Sequence, residues 1–348
     1  MADKKKALAE TVKGAYSKAK IVAKETATGV KDATKDVAVG AKNVAKEAAA
    51  GAKGVANNAA SAANAAKDSV IQKLDATGDG QVGIEDVIIL SFKTPGVYIN
   101  RASFLKSQLF KNHPAEVVEE AISSTPALAG ISSEEIDSIA DECIKSERNK
   151  VSGISAALAT PGGVAMVATI PADIIQYYGF MMRAIQKMLY LYGFPDIDVD
   201  DKDGFQLDDQ TMNTIILCLG TMYGVAGANN AIKAIARGLA LGVNKKLMGM
   251  ALTKGALYPF VKEVLKWFGV RLTKSMFSGA VSKAIPIIGG VVGGGLTFFS
   301  FKPCCDRLKK ELQDTLLANP DHQSSEEEMT AYNDIISGVI IDADFKDL

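Results

Sequence analysis

Residues 160–197 read TPGGVAMVATIPADIIQYYGFMMRAIQKMLYLYGFPDI, and the fold class follows from how the few polar residues fall along them. Pro171 suits the first turn of a helix, where a missing N–H costs nothing and a fixed φ already fits. Asp173 then lies against the positive end of the helix dipole. From there to Tyr192, Asp173, Gln176, Gly179, Arg183, Gln186, Lys187 and Tyr190 project as one stripe at about 100° per residue. The rest of the circumference is Ile, Tyr, Phe, Met, Ala and Leu, too apolar for an ordinary surface helix. Such a helix is buried in protein or partly in lipid. Gly193, Phe194 and Pro195 predict its end.

The segments TIPADI, RAIQK and YLYG in this stretch, after a glycine-rich apolar lead-in, resemble the core of the EcsC family. The resemblance runs from about Ile131 to Leu308. It takes in ISSEEIDSIADE upstream and IPIIGGVVGGGLTFFSF downstream, in the family's order. It implies an all-α, membrane-associated protein, the name-giving member being associated with an ABC transporter. It supplies no catalytic residues.

Charge is distributed unevenly over the 348 residues. Residues 1–70 hold 13 Lys and 7 acids, a net +6, while residues 319–348 hold 8 acids and one Lys, a net −7. A basic head and an acidic tail on a neutral, apolar body place the electrostatics at the two ends. Cys143, Cys218, Cys304 and Cys305 have no metal-ligand spacing and read as reduced thiols of a cytosolic protein. The start, MADKKKALAETVKG, has no apolar stretch of the secretory kind. The expected location is therefore cytoplasmic and peripheral to a membrane, and not secreted.

The first 68 residues repeat with a period of eleven: Gly29–Val39, Gly40–Ala50, Gly51–Ser61 and a degenerate unit from Ala62. Eleven residues make three turns, so Ala and Val hold one face, flanked by Lys31, Lys35, Lys42 and Lys46. The segment resembles late-embryogenesis-abundant repeats. Three readings stand open: a solvated Ala-rich helix or arm, a helix lying on an anionic membrane, and self-association through helices.

Residues 75–86, DATGDGQVGIED, resemble a calcium-binding EF-hand loop. Asp75, Thr77 and Asp79 stand at positions 1, 3 and 5. Gly80 supplies the turn, Gln81 offers its carbonyl at position 7, Val82 is the apolar anchor and Asp86 closes position 12. Hard oxygens at alternating positions are what Ca²⁺ requires. Thr77 in place of Asp or Asn, and Asp86 in place of a bidentate Glu as in dockerin-type loops, favour lower affinity or Mg²⁺. Val70, Ile71 and Leu74 enter the loop, and Ile84, Val87, Ile88 and Leu90 leave it at helical spacing. The alternative is a loop that keeps only the turn. The acidic link 196–209 puts Val199 where a first ligand belongs, and reads as a solvated connection.

Short amphipathic helices are predicted across 87–150, broken at Pro95, Pro114 and Pro126, with a new helix from Ser132 or Ser133. His113, near Glu116 and Glu119, reads as a surface turn residue. Val151–Ala172, Thr211–Ile232 and Ala284–Phe301 are uncharged and long enough to raise the question of membrane insertion, but their Pro, Asn and Gly favour buried core helices. Lys233, Arg237, Lys245, Lys246, Lys254, Lys262, Lys266, Arg271 and Lys274 alternate with apolar residues, Trp267 and Phe268 among them. They form either a membrane-facing side or a solvated one.

A pI near 6.2 and the lack of a binding module argue against nucleic acid. No phosphate-cradling loop, nucleophile elbow or zinc-protease motif occurs. The expected organisation is an arm at 1–68, an EF-hand-like helix–loop–helix at 69–98, an EcsC-like helical domain at 99–318 and an acidic tail at 319–348. The leading expectation is a non-catalytic protein with a Ca²⁺ (or Mg²⁺) loop, meeting an anionic membrane surface or a membrane protein. Against it stand an enzyme acting on lipid or peptide, with a pocket near Asp173, Arg183 and Gln186, and a stress-protection protein built on the arm. A further expectation is that the acidic tail masks the basic arm.

Overall fold

The computed structural model describes residues 74–158, 165–197, 199–200, 206–243, 245–277 and 294–344. The chain divides into two units, 1–65 and 66–348, and every described residue lies in the second. The repeat arm, the entering Val70 and Ile71, and most of the third uncharged segment fall outside the described residues.

The fold is all-α. Among the described residues there are eleven helices: α1 (Ile84–Phe92), α2 (Arg101–Leu109), α3 (Ala115–Ser123), α4 (Ser133–Leu158), α5 (Ala165–Leu191), α6 (Asp209–Tyr223), α7 (Ala228–Ala240), α8 (Lys245–Thr253), α9 (Tyr258–Phe277), α10 (Gly294–Gln313) and α11 (Glu326–Asp344). One two-residue antiparallel ladder, β1 (Val199–Asp200) with β2 (Gln206–Leu207), pairs Val199 with Leu207. The acidic link is thus pinched at its base rather than wholly extended into solvent.

The stretch that predicts a buried helix forms α5. It begins at Ala165, so Pro171 lies inside the helix and not in its first turn. The six residues before Pro171 contain no glycine and carry the helix N-terminally, at the cost of the backbone bond that proline cannot make. The C-terminus follows the expectation: Gly193 adopts φ 91°, and Phe194 N–H donates to the Leu189 carbonyl at 2.9 Å. Side chains all round α5 are buried, including Tyr178, Met181, Met182, Ile185, Met188 and Leu189. Each contributes about 1.5–3 kcal/mol by leaving water. The helix packs against α1, α2, α4 and α10.

The second central helix is α6, which meets α7, α8, α9 and α10. Every residue from Ile215 to Met222 is buried. Asp208 caps its start, accepting from Thr211 N–H at 2.6 Å, and Gly224 at φ 72° ends it. Gly227 at φ 81° then opens α7. The uncharged run Thr211–Ile232 is therefore two core helices with a corner between them. No described helix is long and apolar enough to cross a membrane.

Prolines punctuate the first third. Pro114 precedes α3, Pro126 follows it, and Pro95 lies between α1 and α2. Ser132 accepts from Glu135 N–H at 3.2 Å and starts α4. The described part of the acidic tail is a helix, α11, whose Ala331 and Ile335 are buried and which packs on α7 and α8.

Candidate functional site

In the 75–86 loop, the carboxylates at both ends gather backbone N–H groups. Asp75 Oδ1 accepts from Gly78 N–H at 2.6 Å and Asp79 N–H at 3.1 Å, and its Oδ2 from Gly80 N–H at 2.9 Å. Asp79 Oδ1 accepts from Gln81 N–H at 2.8 Å. Asp86, almost fully buried, accepts from Ala76 and Thr77 N–H through Oδ1 and from Gly83 N–H through Oδ2 at 2.7 Å. Gly78 and Gly80, at φ 76° and 81°, make the turns that bring these donors inward. Leu74, Val82, Ile84, Val87 and Ile88 are all buried, so the loop is anchored on both sides. Leu90 is half-buried.

The donors suit a hard cation in kind, because they are all oxygen. A carboxylate oxygen has two lone pairs. One N–H bond each therefore leaves Asp75 Oδ2 and Asp86 Oδ2 able to accept again, and the Asp79 carboxylate and Thr77 hydroxyl keep further capacity. Asp75, Thr77, Asp79, Asp86 and the Gln81 carbonyl thus match a hard cation in donor type and keep lone pairs that one could use. Among the described residues no three His, Cys, Asp or Glu side chains stand grouped as for a metal. Glu85, a residue the motif reading passes over, is held above the usual carboxylate range by burial, with Asp86 and Asp79 adding repulsion.

Among its described residues, the polar stripe of α5 is partly or wholly buried. Gln186 is fully buried and ties down the segment between α1 and α2: its Oε1 accepts from Ile99 N–H at 2.8 Å, and its Nε2 donates to the Val97 carbonyl at 2.9 Å. Arg183 donates to the Gly96 carbonyl and, through Nε at 2.9 Å and Nη2 at 3.3 Å, to Glu147 of α4. Glu147 has no exposed side-chain surface and also meets Lys187 and, at 3.5 Å, Lys150. Burial alone would raise the Glu147 carboxyl, but hydrogen bonds from Arg183 and Lys187 outweigh it and hold it below the usual range. Sequence reasoning missed Glu147, one acid in the mixed run DECIKSERNK. The other stripe members divide: Tyr190 is buried and donates to Asp196 at 2.9 Å, and Gln176 is half-buried. The Asp173 side chain is outside the described residues.

Beside this cluster lies a groove of about 650 Å³ lined by Thr94, Pro95, Gly96 and Val97, by Lys150 of α4, and by Ile175, Gln176, Gly179, Phe180 and Arg183 of α5. Among the described side chains of the anticipated pocket, Arg183 reaches this groove, while Gln186 is sealed beneath the 97–99 segment.

The basic stretch splits in two. Lys233 pairs with Glu311 at 3.3 Å and with Asp314, and Arg237 donates to Ser324 at 2.6 Å and stacks on Tyr332, 5.2 Å from the ring centroid. Lys233 thus holds the C-terminal end of α10, and Arg237 holds the tail helix. Lys254, Lys262 and Lys266 stay exposed. Phe268 is buried and Trp267 half-buried, both against Tyr223 of α6, so the aromatic pair faces the core. His322 lies between two carboxylates, Nδ1 to Asp314 at 3.1 Å and Nε2 to buried Glu328 at 2.9 Å. His113 meets Glu135 at 2.9 Å, and not Glu116 or Glu119. All four cysteines are free thiols, and burial pushes Cys304 up to about 11.

No protein family, characterised protein or solved structure matches the chain.

Proposed function

We propose that the chain is a non-catalytic, EcsC-like protein that attaches peripherally to anionic membrane surfaces, with the 75–86 loop as a Ca²⁺ (or Mg²⁺) site. The observation that carries this reading is the loop's own geometry: paired end carboxylates, inward-turned N–H groups and spare oxygen lone pairs, joined without a break to the buried helix α1. Asp75, Thr77, Asp79, Gln81 and Asp86 would hold the cation. The cation would supply charge neutralisation and a rigid hold on the junction between the arm and the helical body. Exposed Lys254, Lys262 and Lys266, with the lysine-flanked repeats of residues 1–68, supply the positive charge that an anionic bilayer attracts.

Co-sedimentation with phosphatidylserine vesicles, with Ca²⁺ and with chelator, tests the whole reading. Binding to anionic but not neutral vesicles is expected, with Asp75→Asn removing any calcium dependence. Absence of vesicle binding in both conditions refutes the membrane assignment. Calorimetric titration of Ca²⁺ alone, silent for the intact protein, refutes the metal assignment separately.

A further inference from the structure

The groove beside Glu147 combines two properties that a structural packing defect does not need. Its walls at Val97, Ile175, Gly179 and Phe180 are apolar, and one end carries Lys150 and Arg183. Glu147 neutralises only one of its three cationic partners, so the cluster keeps a formal excess of +2. Arg183 is committed to Glu147 and Gly96. Lys150 is not: its ammonium makes one long contact of 3.5 Å, its side chain is half exposed, and two of its three N–H groups remain for a ligand.

The lip of the groove limits what can lie in it. The Gly96 carbonyl is taken by Arg183, and the Val97 carbonyl and Ile99 N–H by Gln186. These bonds use much of the lip's backbone pairing capacity, which a peptide strand would need and an acyl chain does not. Gly179 sits where the lip meets α5: a Cβ there would lie 3.2 Å from Val97 Cγ2, so the glycine lets Val97 close onto the helix, and a larger side chain would intrude at the groove wall. The volume, about 650 Å³, falls within the roughly 300–1,000 Å³ of pockets that enclose one drug-sized molecule. That suits one acyl chain better than the two of a phospholipid.

From these contacts we infer that the groove binds a single long-chain fatty-acid anion, carboxylate on the Lys150 ammonium within the net positive charge of the cluster, chain along Val97, Ile175, Gly179 and Phe180. The site involves neither the cation loop nor vesicle attachment, so it stands or falls apart from the proposed function.

The test is calorimetric titration of the full-length protein with oleate below its micelle concentration, alongside oleyl alcohol and two-chain phosphatidylserine vesicles. Saturable binding of one oleate is expected, with oleyl alcohol at least about tenfold weaker. Lys150→Gln, a half-exposed position whose change leaves the core intact, should weaken oleate by about tenfold and leave the alcohol unchanged. Gly179→Val should block both ligands, with cooperative thermal unfolding showing that the variant is folded. The inference is overturned by no saturable oleate binding, by equal affinity for the alcohol, or by an unaffected Lys150→Gln variant. Vesicle binding without oleate binding overturns it too, while leaving the membrane reading in place.

Discussion

Glu147→Gln removes the one carboxylate on which Arg183, Lys187 and Lys150 converge, and changes almost no volume. In the variant, Arg183 and Lys187 keep only 23% and 11% of their side-chain surface exposed and lose their counter-ion. Breaking a buried pair from one side costs about 3–5 kcal/mol. Partial exposure of both cations, and the neutral amide that still accepts one hydrogen bond, place the expected loss near the lower end, about 3 kcal/mol. Lys150, half exposed, adds nothing appreciable. For a helical body of this size, 1 kcal/mol corresponds to roughly 2–4 °C, so the unfolding midpoint should fall by about 6–12 °C. Circular dichroism at 222 nm across a thermal ramp reads it. The Glu147 carboxyl is held low in the folded protein. Its contribution is therefore fully present above the unfolded-state value near 4.5 and lost as pH falls through the folded one. The gap between wild type and variant should accordingly be full at pH 7 and shrink as acid titrates the folded-state carboxylate below its unfolded-state value. A midpoint within about 2 °C of wild type at pH 7, or a gap that persists unchanged in acid, would refute the ion-pair account.

Two further perturbations probe other parts of the fold. At Gly220 a Cβ would collide with Val264 and come within 3.0 Å of Ala228, so Gly220→Ala should destabilise by about 1–3 kcal/mol despite alanine's better helix propensity; chemical denaturation with an unchanged m-value checks it. A neutral imidazole has one N–H and cannot donate to both Asp314 and Glu328, so His322 joins them fully only as the imidazolium. His322→Ala leaves Glu328 buried with Ser324 as its remaining side-chain donor, and should speed hydrogen exchange in α11 about tenfold relative to α5; equal protection in the two proteins counts against the clasp.

Local pattern carried the helical part of this structure well, since α5 and α6 announce themselves by apolar residues on every side and by glycines at their ends. The limits of Pro and Gly punctuation show at Pro171, where the helix runs through a residue that local rules place at its start. Glu147 was not legible for a different reason. It looks like its neighbours in a charged run, and only contact with Arg183, 36 positions away, gives it a buried role. Gln186 likewise reads as one member of a polar stripe and of a candidate pocket, until the 97–99 segment covers it with matched donors and acceptors. At the tail, the net −7 of residues 319–348 says nothing of packing, whereas buried Ala331 and Ile335, with Glu328 turned inward on His322, make α11 part of the helical body. The β1–β2 ladder is two residues per strand, too short to leave any alternation in the sequence. In the loop, the carboxylates named by the motif each hold their own set of backbone N–H groups, Asp75 and Asp86 above all, and the burial of Asp86 needed the tertiary structure to appear.

Nine residues of α1, about 13 Å of rigid rod, separate the oxygen-rich turn from the lip that roofs the fatty-acid groove. A rod held at one end transmits its tilt to the other. If an ion seated in the turn alters how firmly Thr94–Val97 closes, thermodynamic reciprocity demands that a bound acyl chain alter the ion's affinity by the same factor. Two chemically unrelated ligands would then report on each other through a single short helix.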